Sequence, residues 1–145
     1  MLTVESAFEL MESLWRNDLP TEAEFANAER TSGIVLPVIY RRFLRCHHGA
    51  FPEGDFKFAR LGQLTCFRDV AKEMIAATPG GFVLREVDLV FAHWEGQAFV
   101  YFSATEVGVD PQLLQYREWE PGDPSPYGMT FGQLIASLVN QLSSR

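Results

Sequence analysis

DLVFAHWEGQAFVYF, residues 88–102, is the stretch from which the rest of this 145-residue chain is best read. Two apolar runs, residues 88–92 and 97–102, rich in β-branched and aromatic side chains, flank His93-Trp94-Glu95-Gly96. Runs of that length around a short glycine-bearing connection predict an antiparallel hairpin. A third run, residues 113–119, extends the sheet, and its alternation with Gln115, Arg117 and Glu118 predicts a strand with one wet face. Beyond it, EPGDPSPYGM at residues 120–129 holds three prolines and two glycines. Proline removes a ladder donor and fixes φ, so this segment is predicted to be a stiff exposed loop.

Outward from the hairpin, both ends of the chain read as helices. Residues 3–16 place Val4, Ala7, Phe8, Met11, Leu14 and Trp15 on one stripe, with Thr3 as cap and Glu5, Glu9 and Glu12 opposite. Thr21 and Glu24 form a capping-box pattern that opens a short second helix, closed near Gly33. A third helix starts at Pro37 and carries Tyr40, Phe43, Leu44 and His47 at helical spacing, with Gly49 at its end and Arg41, Arg42 and Arg45 predicted to face outward. Residues 50–55 are turn-rich and residues 56–61 suit a short strand. Residues 66–77 form a helix with Phe67, Val70, Ala71, Met74 and Ile75 on one face, ended by Pro79-Gly80-Gly81. Thr130 and Gln133 repeat the capping-box pattern before a clean stripe of Phe131, Leu134, Ile135, Leu138, Val139 and Leu142. Helices at both ends around a central antiparallel sheet predict one α+β domain over residues 1–145.

Composition narrows the function classes. Hydrophobic residues make up 47% and charged residues 21%, the balance of a globular protein. No run approaches the ~20 apolar residues of a membrane span, and Glu5, Glu9 and Glu12 stand where a signal peptide carries positive charge, so a cytoplasmic location is expected. Net charge is −7, and the excess is C-terminal: residues 86–145 hold 2 basic and 8 acidic side chains. Such a surface lacks the clustered Lys and Arg that nucleic-acid binding needs; on charge alone it serves first to keep the protein in solution, and any partner it takes is expected to be basic. Cys46 and Cys66 are expected to be free thiols, because two cysteines at that spacing match neither a disulfide framework nor a four-ligand zinc pattern.

Candidate chemistry is sparse. His47 and His48 project about 100° apart on a helix and do not chelate as an i, i+4 pair would, so no metal site is expected. Cys46 beside them has no third orienting group for a nucleophile. Glu118 and Glu120 would share one strand face, where paired carboxylates could do acid–base work, but a solvated acidic face is the ordinary explanation. Gly49, Gly96 and Gly128 read as backbone positions with positive φ and not as a phosphate cradle, so no cofactor is expected. Glu95, Glu106, Asp110, Glu118, Glu120 and Asp123, with Trp94, Trp119 and Tyr127 as aromatic anchors, compose a protein-binding patch, unless the tryptophans belong to the core.

IVLPVIYRRFLRCHHG at residues 34–49, preceded by Glu29 and Gly33, resembles the helical signature of the SUKH superfamily, the Smi/Knr-like proteins. LVFAHWEGQAFVYF at 89–102 resembles that family's strand, acidic-glycine turn and aromatic strand, and TFGQLIASL at 130–138 its closing helix. The three motifs stand in the family's order across about residues 20–142. The resemblance implies a non-enzymatic protein with no catalytic residues to assign. Bacterial members are mostly immunity proteins that bind and neutralise toxins, frequently nucleases, of polymorphic or contact-dependent systems; fungal relatives are regulatory scaffolds in cell-wall synthesis and signalling. For this chain it implies a stoichiometric complex with a basic toxin domain, formed by a monomer or weak homodimer, without cofactor, nucleic acid or membrane. The binding residues expected are Trp94, Glu95, Glu118, Trp119, Glu120, Asp123 and Tyr127. A scaffold or adaptor of the same fold, using the 120–129 segment, is the alternative.

Overall fold

Thr3, Thr21 and Thr130 each start a helix by the same device. Their hydroxyls accept the backbone N–H three residues on, from Ser6 at 3.1 Å, Glu24 at 3.2 Å and Gln133 at 3.1 Å. Glu24 and Gln133 close the box by accepting the cap residue's own N–H. A computed structural model describes residues 2–49, 57–94 and 97–143. It contains α1 (Val4–Trp15), α2 (Glu22–Ser32), α3 (Val38–Gly49), β1 (Lys57–Phe58), a 3₁₀ turn (Leu61–Gln63), α4 (Leu64–Ala76), β2 (Asp88–Trp94), β3 (Ala98–Ser103), β4 (Gln112–Arg117), β5 (Glu120–Thr130) and α5 (Phe131–Ser143). The strands form one antiparallel meander in the order β1-β2-β3-β4-β5. The fold is α+β, as helices at both chain ends around a central antiparallel sheet predicted.

The sheet is buried on both faces, which is why β2 and β3 read as continuous apolar runs. On one face Phe8 and Met11 of α1, Tyr40 and Phe43 of α3 and Phe131 and Ile135 of α5 meet Leu89, Phe91, Phe102 and Leu113. Tyr40 stands edge-on to Phe102 at 5.4 Å and to Phe131 at 5.2 Å, the arrangement that aromatic quadrupoles favour. On the other face Phe67, Ala71 and Met74 of α4 cover Val90, Phe99, Tyr101 and Tyr116.

Several expectations need correction. Residues 120–129 are not a loop: they form β5, paired through Leu114↔Pro126 and Gln115↔Ser125. β5 is the edge strand, so its prolines need no outer ladder partner, and two register shifts absorb the extra residues. β4 ends at Arg117, which leaves Glu118 and Trp119 in the turn. Of the predicted strand at 56–61, residue 56 lies outside the described residues and β1 takes only Lys57 and Phe58 of the rest, and α4 begins earlier than expected, behind its 3₁₀ turn. Leu14, assigned to the buried stripe, is 58% exposed.

Arg41, Arg42 and Arg45 do not face solvent. Arg42 donates to Glu12 at 2.6 Å and Glu5 at 3.0 Å while its guanidinium lies 5.1 Å over the Phe8 ring. Arg41 donates to Glu29 at 2.9 Å and Arg45 to Glu22 at 2.8 Å, and both stack on Phe25. Phe25 is the one buried side chain of α2, so this clasp, not an apolar stripe, fastens that polar helix. The turn expected at 50–55 lies outside the described residues, as does the Glu95-Gly96 turn.

Candidate docking site

The two tryptophans come together through sheet register. Trp94 ends β2 opposite Ala98, Ala98 pairs with Arg117 across β3 and β4, and Arg117 pairs with Glu120 at the start of β5. One row at one end of the sheet therefore carries Trp94, Ala98, Arg117 and Glu120. The Glu118 N–H donates to the Gln97 carbonyl at 2.9 Å and ties the β4–β5 turn to the start of β3. Trp119, on that turn, stands edge-on to Trp94 with ring centres 5.9 Å apart. Both are partly open to solvent, Trp94 at 38% and Trp119 at 49%, so neither is a core residue.

Between them lies an open groove of about 330 Å³. Ala98, Val100 and Gln115 line it, with Arg117 beside them, and Trp94, Trp119 and Tyr127 form its walls. Val100 also belongs to the core under the helices, so the groove begins where the helical cover of that face ends. Arg117 places its guanidinium carbon 6.0 Å from the Trp119 ring centre and Nη1 3.6 Å from Glu120 Oε1. Burial raises the Tyr127 phenol above its usual range, which keeps it a neutral hydrogen-bonding group.

The structure divides the acidic residues that composition grouped together. Glu118 and Glu120 flank the turn beside Trp119 and do not share a strand face, so the paired-carboxylate arrangement is absent from this strand. Asp123 is exposed in the bulged stretch of β5, between the partners of Arg117 and Gln115. Glu106 and Asp110 belong to the β3–β4 connection, at the far end of the strands, on the order of 17 Å away for six residues of strand. Asp110 is structural: it accepts the Thr130 hydroxyl and the Gly132 N–H, each at 2.7 Å, and so fixes the start of α5. Glu95 lies outside the described residues.

The remaining candidates are structural too. His47 stacks on Phe43 at 5.5 Å with its Nε2 2.9 Å from the Phe58 carbonyl, at the end of the stripe that the sequence assigned to it. Burial pushes the Cys46 thiol up to about 12, the opposite of what a nucleophile requires. Both cysteines are free, Cys46 buried and Cys66 exposed. The buried Asp88 accepts the Arg85 N–H at 2.9 Å and the Ser103 hydroxyl at 3.3 Å. Gly128 has the expected positive φ of 89°. Among the described residues no group of three His, Cys, Asp or Glu side chains is placed to hold a metal ion, and no helix is long and apolar enough to cross a membrane. Arg117 and Gln115 were missed as site residues; the signal was their alternation, read only as a wet strand face.

The structure thus places an aromatic-walled groove, with Arg117 beside it, at one end of an α+β meander. The profile of the SMI1/KNR4 family (SUKH-1) matches residues 19–137, from just before α2 into α5, and the chain belongs to that family. A comparison with curated proteins gave no significant match.

Proposed function

We propose that this protein is an immunity protein, without catalytic activity of its own, that neutralises a basic toxin domain by stoichiometric occlusion. The reading places it in the bacterial cytoplasm and makes the toxin, a nuclease by family analogy, part of a polymorphic or contact-dependent system. Membership of the SMI1/KNR4 family supports the class of protein. The observation that carries the site is the coincidence of two exposed tryptophans, a groove and the Glu118 and Glu120 carboxylates at one end of the sheet. Partly exposed Trp residues beside a pocket are where binding energy concentrates, while rim carboxylates steer a basic partner on approach. The adaptor alternative rests on the fungal relatives and on residues 120–129 as a stiff exposed loop; that segment is β5, part of the sheet, which leaves the alternative its first ground alone.

The test begins with the tagged protein in its host's lysate at low and moderate salt, its partner identified by mass spectrometry and assayed for inhibition. The wild-type protein is expected to inhibit a basic toxin domain at a 1:1 ratio. Charge reversal at Glu118, Glu120 and Asp123 together is expected to slow association by about tenfold at low salt and flatten its salt dependence. Unchanged association kinetics would remove this surface, and inhibition of no toxin would remove the immunity reading.

A further inference from the structure

Among the described residues four arginines lie over aromatic rings, and one of them is held differently from the rest. Arg41, Arg42 and Arg45 sit 5.1–5.6 Å from their ring centres and each donates to a carboxylate at 2.9 Å or less. Arg117 lies at 6.0 Å from Trp119, its Glu120 contact is 3.6 Å, and its side chain makes no hydrogen bond among the described residues. The first distance is at the limit of a cation–π contact and the second lies beyond hydrogen-bond range. Trp119 and Glu120 thus form a guanidinium subsite with a loosely held occupant from the same chain.

We infer that the groove takes an arginine side chain of the basic partner, which displaces Arg117 from Trp119 and Glu120. This deepens the docking reading above and rests on it. Charge complementarity selects the occupant, because the exposed Glu120 carboxylate stands 3.6 Å from the Arg117 guanidinium beside the groove, a place that a partner's guanidinium can take. Geometry selects arginine over lysine: a planar guanidinium stacks on an indole and presents a fork to a carboxylate, while Ala98 and Val100 offer apolar surface to its stem. Arg117 is then a specificity-determining residue that acts as an internal competitor. Its removal should tighten binding, the reverse of an ordinary contact residue.

Calorimetric titration of the full chain with acetyl-tetraarginine amide reads this directly. Arg117→Gln is expected to bind at least about threefold more tightly than wild type, and Trp119→Ala at least about tenfold more weakly. Lys72→Gln, on the exposed side of α4 over the other sheet face, makes the same change in net charge and is expected to leave the affinity within about twofold. Tetralysine should bind less tightly than tetraarginine. Trp119→Phe keeps a stacking face and should fall between wild type and Trp119→Ala. Equal effects of Arg117→Gln and Lys72→Gln, or an unchanged affinity in Trp119→Ala, would overturn the inference. The two readings fail separately. Loss of the arginine subsite with charge reversal still slowing the toxin leaves the docking surface standing; a working subsite in a protein that inhibits no toxin leaves only the subsite.

Discussion

Two aromatic clusters share one face of the sheet and have opposite fates. Tyr40, Phe43, Phe91, Phe102 and Phe131 are sealed beneath α1, α3 and α5, edge to face at 5.2–6.3 Å. Trp94 and Trp119 make the same edge-on contact at 5.9 Å but stay open. Ring chemistry does not separate them, because both clusters pair in the geometry that aromatic quadrupoles prefer. Helical cover does: the first cluster meets side chains from three helices, whereas the second is walled by strand ends and a turn. An aromatic pair with a helix over it serves stability, and an uncovered one is available for recognition.

The largest expected contrast comes from truncating one ring in each cluster. Phe43→Ala removes a fully buried ring and should cost about 3–5 kcal/mol in urea unfolding. Trp119→Ala should cost less than about 1 kcal/mol while carrying the binding loss described above. Comparable stability losses would show that the tryptophan pair is a structural element.

Next in size is Gly132, where the helices close on one another. A Cβ there would come within 2.5 Å of Asp110 Oδ2, 2.6 Å of Ile39 Cδ1 and 2.8 Å of Val4 Cγ1, so Gly132→Ala must displace these side chains, Asp110 at the start of α5 among them. A loss of about 1–3 kcal/mol is expected, read as a lower melting temperature with docking intact once folded. Arg42→Gln loosens the same cover from outside, by about 1–2 kcal/mol at neutral pH. The Arg42 guanidinium holds the Glu5 carboxyl below its ordinary value of 4.5, first by hydrogen bonding and then by charge. A depressed carboxylate pKa stabilises the fold above the ordinary value and loses that contribution as pH falls through the folded value. The wild-type advantage over Arg42→Gln should therefore narrow below about pH 4.5, and a gap that widens on acidification would contradict the pairing.

The smallest effect sharpens the definition of the sealed cluster. The Tyr40 hydroxyl is buried without a hydrogen-bond partner among the described residues, and burial alone drives its pKa well above the phenol range. Tyr40→Phe should leave stability unchanged or raise it by up to about 1 kcal/mol in thermal unfolding. A clear loss would reveal a partner for that hydroxyl.

Local sequence made much of this architecture legible. The hairpin followed from its apolar runs, three helix starts from hydroxyl caps, and the α3 and α5 stripes from spacing, because each depends on residues within a few positions of one another. What escaped shares the opposite property. Pro121, Pro124 and Pro126 look like loop residues until the sheet order puts them on an edge strand. Arg41, Arg42 and Arg45 look solvated until α1 and α2 bring carboxylates and Phe8 and Phe25 to them. Asp110 looks like part of an acidic surface until α5 starts against it.

The proposed docking residues divide along the same line. Trp94, Trp119, Glu118, Glu120 and Tyr127 were recognisable by type, since exposed aromatic rings among carboxylates suit a basic protein. Which of them meet, and that Arg117 stands among them, was decided by register across β3, β4 and β5 and by where the helical layer ends. Sequence by itself therefore determined the hairpin, the helices, most of their buried stripes and the family, all carried by short-range periodicity and side-chain chemistry. Tertiary structure alone decided which aromatic rings are sealed and which guanidinium is loosely held, because both depend on pairing between segments far apart along the chain.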